Sequence, residues 1–460
     1  MERKIKMKKT AGIILFLLTM LCMSATSFAL TDGDWEYQLV EDHSVITQYT
    51  GSDENVVIPS ALGGVPVTEV TCEKNSDSYF NNGVTKSITF PSSVKVIDKM
   101  CYGSDTLETV VLPEGVEEIA ENAFTGCKNL KNITIPSTVK EIGGAAFANC
   151  SSLTSITLPA ALEKLDGGAF LESGLVTADM SACTNLQSMD TGVFRDCEAL
   201  QTIALPNNLD KITRDMFAGC VSLSDIDIPK TVSLIDFEAF YGCTSLKSVI
   251  LPTSLNELGR YAFRECSQLE EVIIPYGTVK VDAAFQRCPA LKAVYVPDSV
   301  IYFSLDILQG SSNAIIYCTS GSEAAEVCRE HDISFLTDSS VNTAINVLYN
   351  GKRMSFDKYG KNPEVINDRT LVPLRSIFES MNATVDWDGT TNTVTSTRGD
   401  VTMTIAIGAQ EIYKNGEAIP VDVPAQLING FTMVPVRFIA EAFDASVDWN
   451  GNGNIVYINE

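Results

Sequence analysis

Apolar residues in the middle of the chain alternate in short bursts that each stop at a proline. In Leu130-Lys-Asn-Ile133-Thr-Ile135-Pro136, Ile133 and Ile135 flank Thr134, so one face of a strand is buried and the other is open. Pro136 cannot donate to a ladder and ends the strand. Val139 and Ile142 begin a return path, Phe147 fills the centre of the coil, and Cys150 with the small polar residues after it turns the chain onward. The unit then repeats. Its phenylalanine recurs at Phe124, Phe147, Phe170, Phe194, Phe217, Phe240, Phe263 and Phe285, with gaps of 22 to 24 residues. The closing proline stands at positions 91, 113, 136, 159, 206, 229, 252, 275 and 297. Cysteine follows the phenylalanine by three residues throughout, except that Ser173 takes its place once. A fixed period in the twenties marks a solenoid, in which units that cannot bury their own apolar side stack into one continuous core. About ten rungs are expected from Ile88 to Val296, a rod or arc of roughly 50 Å at the strand spacing. The rung from Leu175 to Ser181 lacks the proline and reads as a variant or a slight bend.

The flanks carry different patterns. Residues 30–64 alternate in Trp35–Val40 and Val45–Tyr49 and read as short strands placed to cap the first rung, with Trp35 as packing. The repeats fill 65–314. In 315–336 a strand is followed by a helix from about Glu323 to Glu330, a C-terminal cap, and 337–344 is a polar linker. Beyond it the short period gives way to a longer duplication. Arg369-Thr-Leu-Val-Pro-Leu-Arg375 matches Phe431-Thr-Met-Val-Pro-Val-Arg437, and Thr384-Val-Asp-Trp387-Asp-Gly389 matches Ser446-Val-Asp-Trp449-Asn-Gly451, both at an offset of 62. Each half predicts a strand, a helix opened by Pro373 or Pro435, and a Val-Asp-Trp hairpin. Residues 345–460 are therefore expected to form a small duplicated α+β module.

Charge and cysteines adjust this picture. Five basic residues, an apolar run from Ala11 to Met23 and the small residues around Ala29 read as a secretory signal peptide over 1–29. Its removal moves the formal charge from −25 to −29, a surface that repels nucleic acid and anionic lipid. No second apolar run of about twenty residues follows, so no membrane span is expected after cleavage. Twelve cysteines in an exported chain invite a disulfide framework. Stacked rungs set equivalent positions about 4.8 Å apart, which an unstrained disulfide does not match, so buried free thiols are expected instead and an oxygen-poor habitat is suggested.

The Ile-x-Ile-Pro, Ala-Phe and Cys marks over about 50–336 resemble the BspA-like leucine-rich repeat class. The resemblance implies a right-handed leucine-rich-repeat solenoid with a parallel sheet on its concave face, on a bacterial or protist surface, in adhesion or recognition. The Val-Pro-Leu-Arg or Val-Pro-Val-Arg helix start and the Val-Asp-Trp strand over about 345–460 resemble the copper amine oxidase N-terminal-like (stalk) domain. That name implies no activity here, because oxidase chemistry needs three histidines and a modified tyrosine, and the chain has only His43 and His331. No catalytic constellation, cofactor or metal site is expected. Asp386-Trp-Asp388-Gly resembles a fragment of a calcium loop, but it lacks the remaining ligands and reads as a hairpin turn.

The outward strand positions offer the most informative surface. The first rungs carry a Thr/Ser ladder. The later ones place Ile250, Ile273 and Tyr295 in a row beside Asp225, Asp227 and Glu271, a strip fit to dock a partner. The competing account is that β-branched residues simply favour strands. Arg375 and Arg437, at matching positions of the module, fit either structural salt bridges or contacts to wall polymers. The expected protein is secreted, associated with the cell envelope and non-catalytic. Its solenoid would bind an extracellular protein or glycan, and its module would act as a stalk or envelope-binding unit with cell-wall polymer as a partner. The alternative is a passive structural component of the envelope.

Overall fold

The computed structural model describes residues 29–71, 80–186, 189–342, 345–356, 360–451 and 454–460. The signal-peptide expectation falls on residues 1–29, all but the last of which lie outside the described residues. The chain forms a β-solenoid of about 12 turns followed by a small α+β module.

In most rungs the Ile-x-Ile burst makes a short strand that pairs in parallel and in register with a neighbour. The bursts at 225–228 and 248–251 form no strand and hold one isolated bridge, Ser248 to Glu271, contrary to the outward strand positions expected for Asp225, Asp227 and Ile250. Ile88 lies beside Val110, and Ile156, Ala178 and Ile203 follow one another across three rungs. Their side chains point inward while Thr109, Val111, Ser155 and Thr157 face out. The return path is more ordered than its sequence suggests. Two-residue strands at Val96–Ile97, Glu118–Ile119, Glu141–Ile142 and Lys164–Leu165 form a second parallel ladder. A two-residue strand is too short to show alternation, which is why periodicity missed it.

The turn around the phenylalanine makes a third ladder. The backbone N–H groups of Ala145, Phe147 and Asn149 donate to the carbonyls of Gly167, Ala169 and Leu171 one rung on, at 3.1, 2.7 and 2.7 Å. Alternate N–H groups face the next rung because residues two before and two after the phenylalanine adopt positive φ, as at Ala145 (52°) and Asn149 (59°). Non-glycine residues such as Glu238, Tyr261 and Arg287 adopt it too, so the rung-to-rung bonds offset a conformation that costs L-residues energy.

Inside this coil the rings from Phe124 to Phe285 stack face to face, with centroids 5.0 to 5.9 Å apart. The N-terminal strands Trp35–Val40 and His43–Tyr49 pair antiparallel and close the end of the column. Trp35 sits 4.6 Å from Tyr49, and Tyr49 sits 5.4 Å from Phe80. Trp35 is packing. The helix Glu323–Glu330 (α1), capped by Ser322, lies at the other end beside the strand Ile315–Cys318.

The eleven described cysteines are buried and free. They are more than small hydrophobes. Cys150, Cys220, Cys243, Cys266 and Cys288 each donate Sγ–H to the carbonyl of a phenylalanine in the preceding rung, at 3.1 to 3.2 Å. Ser104 and Ser311 occupy the same column and donate to the Phe80 and Phe285 carbonyls at 2.8 and 2.7 Å. The column thus gives a second donor to buried carbonyls such as those of Phe124, Phe194 and Phe217, which also accept the N–H three residues on. Burial pushes the Cys150 and Cys288 thiols up to about 12, which suppresses the reactive thiolate. Cys243→Ala is expected to cost about 1 kcal/mol in a urea melt by removing one of the two hydrogen bonds that the Phe217 carbonyl accepts, the other coming from the Cys220 N–H at 3.1 Å, and Cys243→Ser clearly less. Equal costs for the two variants would contradict the donor role.

The duplicated half-modules pair through their Val-Pro strands, Arg369–Pro373 antiparallel to Phe431–Pro435. Each runs into a seven-residue helix, Leu374–Ser380 (α2) and Val436–Ala442 (α3), with the proline at the N-cap. The Phe378 and Phe443 rings meet edge to face at 5.7 Å in the shared core. Asp388 accepts from the Thr390 N–H (2.8 Å) and the Thr391 hydroxyl (2.9 Å), so the calcium-like fragment is a hairpin turn.

Candidate functional site

The strip expected from the sequence divides in two. Asp225 and Asp227 are exposed and Ile250 is half-buried. A groove of about 660 Å³ opens beside Asp227, with Ser181, Asn207 and Lys230 on its walls. It lies at the variant rung that the sequence marked by its missing proline.

The other half is not an open row. Ile273, Tyr295 and Tyr317 line up across adjacent strands, and the Tyr295 and Tyr317 rings stack at 4.8 Å. Tyr295 is only 9% exposed, because Val341 packs on it and Arg353 lays its guanidinium 4.6 Å from the ring centroid. Arg353 is itself buried. Its Nη1 donates to Asp338 Oδ2 (3.0 Å), its Nη2 to the Ser340 carbonyl (2.6 Å) and its Nε to Asn346 Oδ1 (3.0 Å). Asn342 and Asp298 exchange two further hydrogen bonds at 2.7 and 2.8 Å. The segment read as a polar linker and the first hairpin of the module therefore seat on the strip. A polar spacer does not advertise such a seat, since its apolar contribution is the single residue Val341.

This seat sets the electrostatics. Burial raises the Glu271 carboxyl above its usual range, opposed by Arg353, Lys352 and Lys292, and its Oε1 is buried without a hydrogen-bond partner. An acid with a raised folded-state pKa weakens the fold above that value, and the penalty lifts as pH falls through it. Burial, then the Glu271 charge, raises the Tyr295 phenol. Tyr457, on the last strand Ile455–Asn459, is raised by burial and then by the charge of Asp225.

The two histidines lie far apart in the fold, His43 on the N-terminal hairpin and His331 at the C-cap of α1. Among the described residues, no group of three or more His, Cys, Asp or Glu side chains converges to hold a metal ion. Among them, too, no helix is long and apolar enough to cross a membrane. Arg375 and Arg437 reach Glu379 and Glu441 at 3.9 and 4.0 Å, exposed pairs that contribute little to stability.

Parallel rungs with an inward Leu/Ile pattern, a phenylalanine column and a separate α+β module define a leucine-rich-repeat protein with an appended domain. Two blocks, 73–201 and 187–315, match the BspA type leucine rich repeat region in six copies and together span more than half of the chain. The chain belongs to the BspA-type leucine-rich repeat family. Residues 348–458 match the copper amine oxidase N-terminal domain. Among solved structures, a leucine-rich repeat protein from Bacteroides ovatus is 19% identical, with a TM-score of 0.50, over 70% of this chain and 82% of that one. A leucine rich cell surface protein from Faecalibacterium prausnitzii is 23% identical over 66% of this chain and 97% of that one, with a TM-score of 0.40. The pneumococcal vaccine antigen PcpA is 18% identical over 68% of this chain and 100% of that one, with a TM-score of 0.38. No curated protein matches the chain. The resemblance to the Bacteroides ovatus protein bears on the fold alone.

Proposed function

We propose that the chain is a secreted, non-catalytic binding protein of the cell surface. In this reading the solenoid captures an extracellular protein or glycan through the exposed acids Asp225 and Asp227, and the C-terminal module holds it to the envelope. One observation supports it above others. The groove lined by Asp227 and Lys230 stays open while the neighbouring Ile273 and Tyr295 are covered by the chain's own residues. A basic or hydroxyl-rich partner suits such a groove, because exposed carboxylates steer cations and accept hydrogen bonds.

Ile250 borders this open stretch, while Glu271, Ile273 and Tyr295 act from beneath as the module's seat. The same covering favours a second reading, a passive envelope component whose strip serves only to hold its own module. The double variant Asp225→Lys, Asp227→Lys separates the two. In the full chain, binding to arrayed matrix proteins and glycans is expected to fall at least about tenfold, the usual scale for reversing charge at a contact. Unchanged binding, or no binding by the parent chain, favours the passive reading.

A further inference from the structure

The 62-residue duplication builds a pair of matching grooves in the module. One, of about 330 Å³, has Arg375 and Trp387 on one wall and Leu427 and Phe431 on the other. The second, of about 630 Å³, has Arg437 and Trp449 facing Val365 and Arg369. Every residue of the first set lies 62 positions from its counterpart in the second. Each groove takes its tryptophan and arginine from one half-module and its facing wall from the other, so neither half alone could make one. Both volumes fall within the ordinary range of small-molecule sites, about 300–1,000 Å³.

The tryptophans are neither core nor loose. They are 46% and 45% exposed, on the same strand face as Val385 and Val447, which pack against the shared core. A Cβ built on Gly389 would stand 3.4 Å from Trp387 Nε1, and one on Gly451 would stand at the same distance from Trp449 Nε1. Each indole edge thus lies along its own hairpin turn, which fixes the ring and leaves a face to the groove. A fixed aromatic face costs little entropy to use. Among the described residues, the guanidinium on the same wall makes a long exposed pair with Glu379 or Glu441 and can turn to a stronger acceptor.

We infer that the two grooves bind successive units of the wall glycan, an N-acetylated amino-sugar polymer that bears carboxylates. The inference rests on the envelope-holding role proposed above and says how the module performs it. A sugar ring presents a C–H face to the indole, and a carboxylate on the same unit meets the guanidinium bidentately. Two like sites in one rigid module suit a ligand that repeats, since the second contact is then intramolecular. The rims differ. Arg369, bonded to Asp422 at 2.8 Å, edges the larger groove, where the smaller one has Phe431. The larger groove therefore takes the more polar sugar of the repeat.

The test uses the full chain and its variants Trp387→Ala, Trp449→Ala, the double, and the double Arg375→Gln, Arg437→Gln. Each is assayed by co-sedimentation with peptidoglycan sacculi stripped of anionic wall polymers. Mucin glycans and uncharged N-acetylglucosamine oligomers serve as competitors, and circular dichroism reports folding. Each tryptophan variant is expected to weaken sacculus binding about tenfold, the double more than a hundredfold, and the arginine pair about tenfold. Full sedimentation of the double tryptophan variant would overturn the groove assignment while leaving the envelope role intact. Failure of the parent chain to sediment would overturn both. Neither competitor is expected to displace the protein from sacculi; displacement by mucin glycans, or by the uncharged N-acetylglucosamine oligomers, would overturn the choice of a carboxylate-bearing wall glycan as ligand. Should the tryptophan variants misfold, the arginine pair decides, and unchanged binding there counts against the inference.

Discussion

Replacing Phe240 by alanine should cost the protein about 3–5 kcal/mol, the figure for emptying a core aromatic site. Phe240 has no solvent exposure, lies 5.3 Å from Phe217 and 5.0 Å from Phe263, and stacks nearly parallel to the latter at 3°. Three consequences follow together. The lost ring opens a cavity that neighbouring rungs cannot fill, because their backbones are pinned there by the Leu234–Ile235 ladder and by the turn ladder on either side of the ring. Two stacking contacts disappear, each about 0.5–1.5 kcal/mol beyond area burial. The carbonyl of residue 240 still accepts Sγ–H from Cys266 only if the turn keeps its shape. In a solenoid stability is close to a sum of rung and nearest-neighbour terms, so the damage should stay local at low denaturant. A urea melt followed by far-UV circular dichroism should show an earlier transition, and hydrogen exchange should show lost protection in the rungs around 217–263. Phe240→Leu should recover part of the loss. A melt like that of the parent chain would mean that the column is not what holds the rungs together. The chain holds its own precedent for a smaller side chain, since Cys101 stands in the ring column ahead of Phe124 and receives Sγ–H from Cys127 on its carbonyl.

The parts of this fold that were legible are those that repeat. The phenylalanine and cysteine columns, the proline stops and the 62-residue duplication all follow from one residue type returning at a fixed interval. The second ladder was hidden because Glu141–Ile142 and its equivalents are two residues long. The positive-φ pairs were hidden because their residue type changes from Gly168 to Tyr261 while the backbone need stays the same. The strip was legible as a row of outward residues but not as a seat. Tyr295 reads as an exposed strand aromatic until Val341 and Arg353 arrive from a different unit, and no local pattern encodes that meeting. The grooves were half legible. The offset of 62 paired Arg375 with Arg437 and Trp387 with Trp449, and carrying it on to Val365 and Leu427 would have supplied the facing walls.

Because the seat joins the two units, removing its central cation should free them from each other. Arg353→Met keeps much of the side-chain volume but deletes the charge, three sets of hydrogen bonds and the contact over Tyr295. Asp338 then remains buried without its guanidinium, still accepting from Ser340 and Ser355. Breaking a buried pair by removing one partner costs about 3–5 kcal/mol, chiefly from the charge left behind. Arg353→Lys should not rescue it, because an ammonium cannot serve Asp338, Ser340 and Asn346 at once while lying flat on a ring. The cores of solenoid and module are separate clusters, so each should stay folded. What changes is the joint. Limited proteolysis should cut residues 337–345 about a hundredfold faster or more, as expected when local opening becomes easier by that free energy. Tyr295 and Glu271 should become accessible together, and the raised Glu271 carboxyl should return toward its ordinary range, measurable by NMR titration. Resistance to cleavage equal to the parent chain would place the join elsewhere. If the strip has a ligand of its own beneath the module, this variant should also bind it more tightly than the parent, because the competing internal contact is gone.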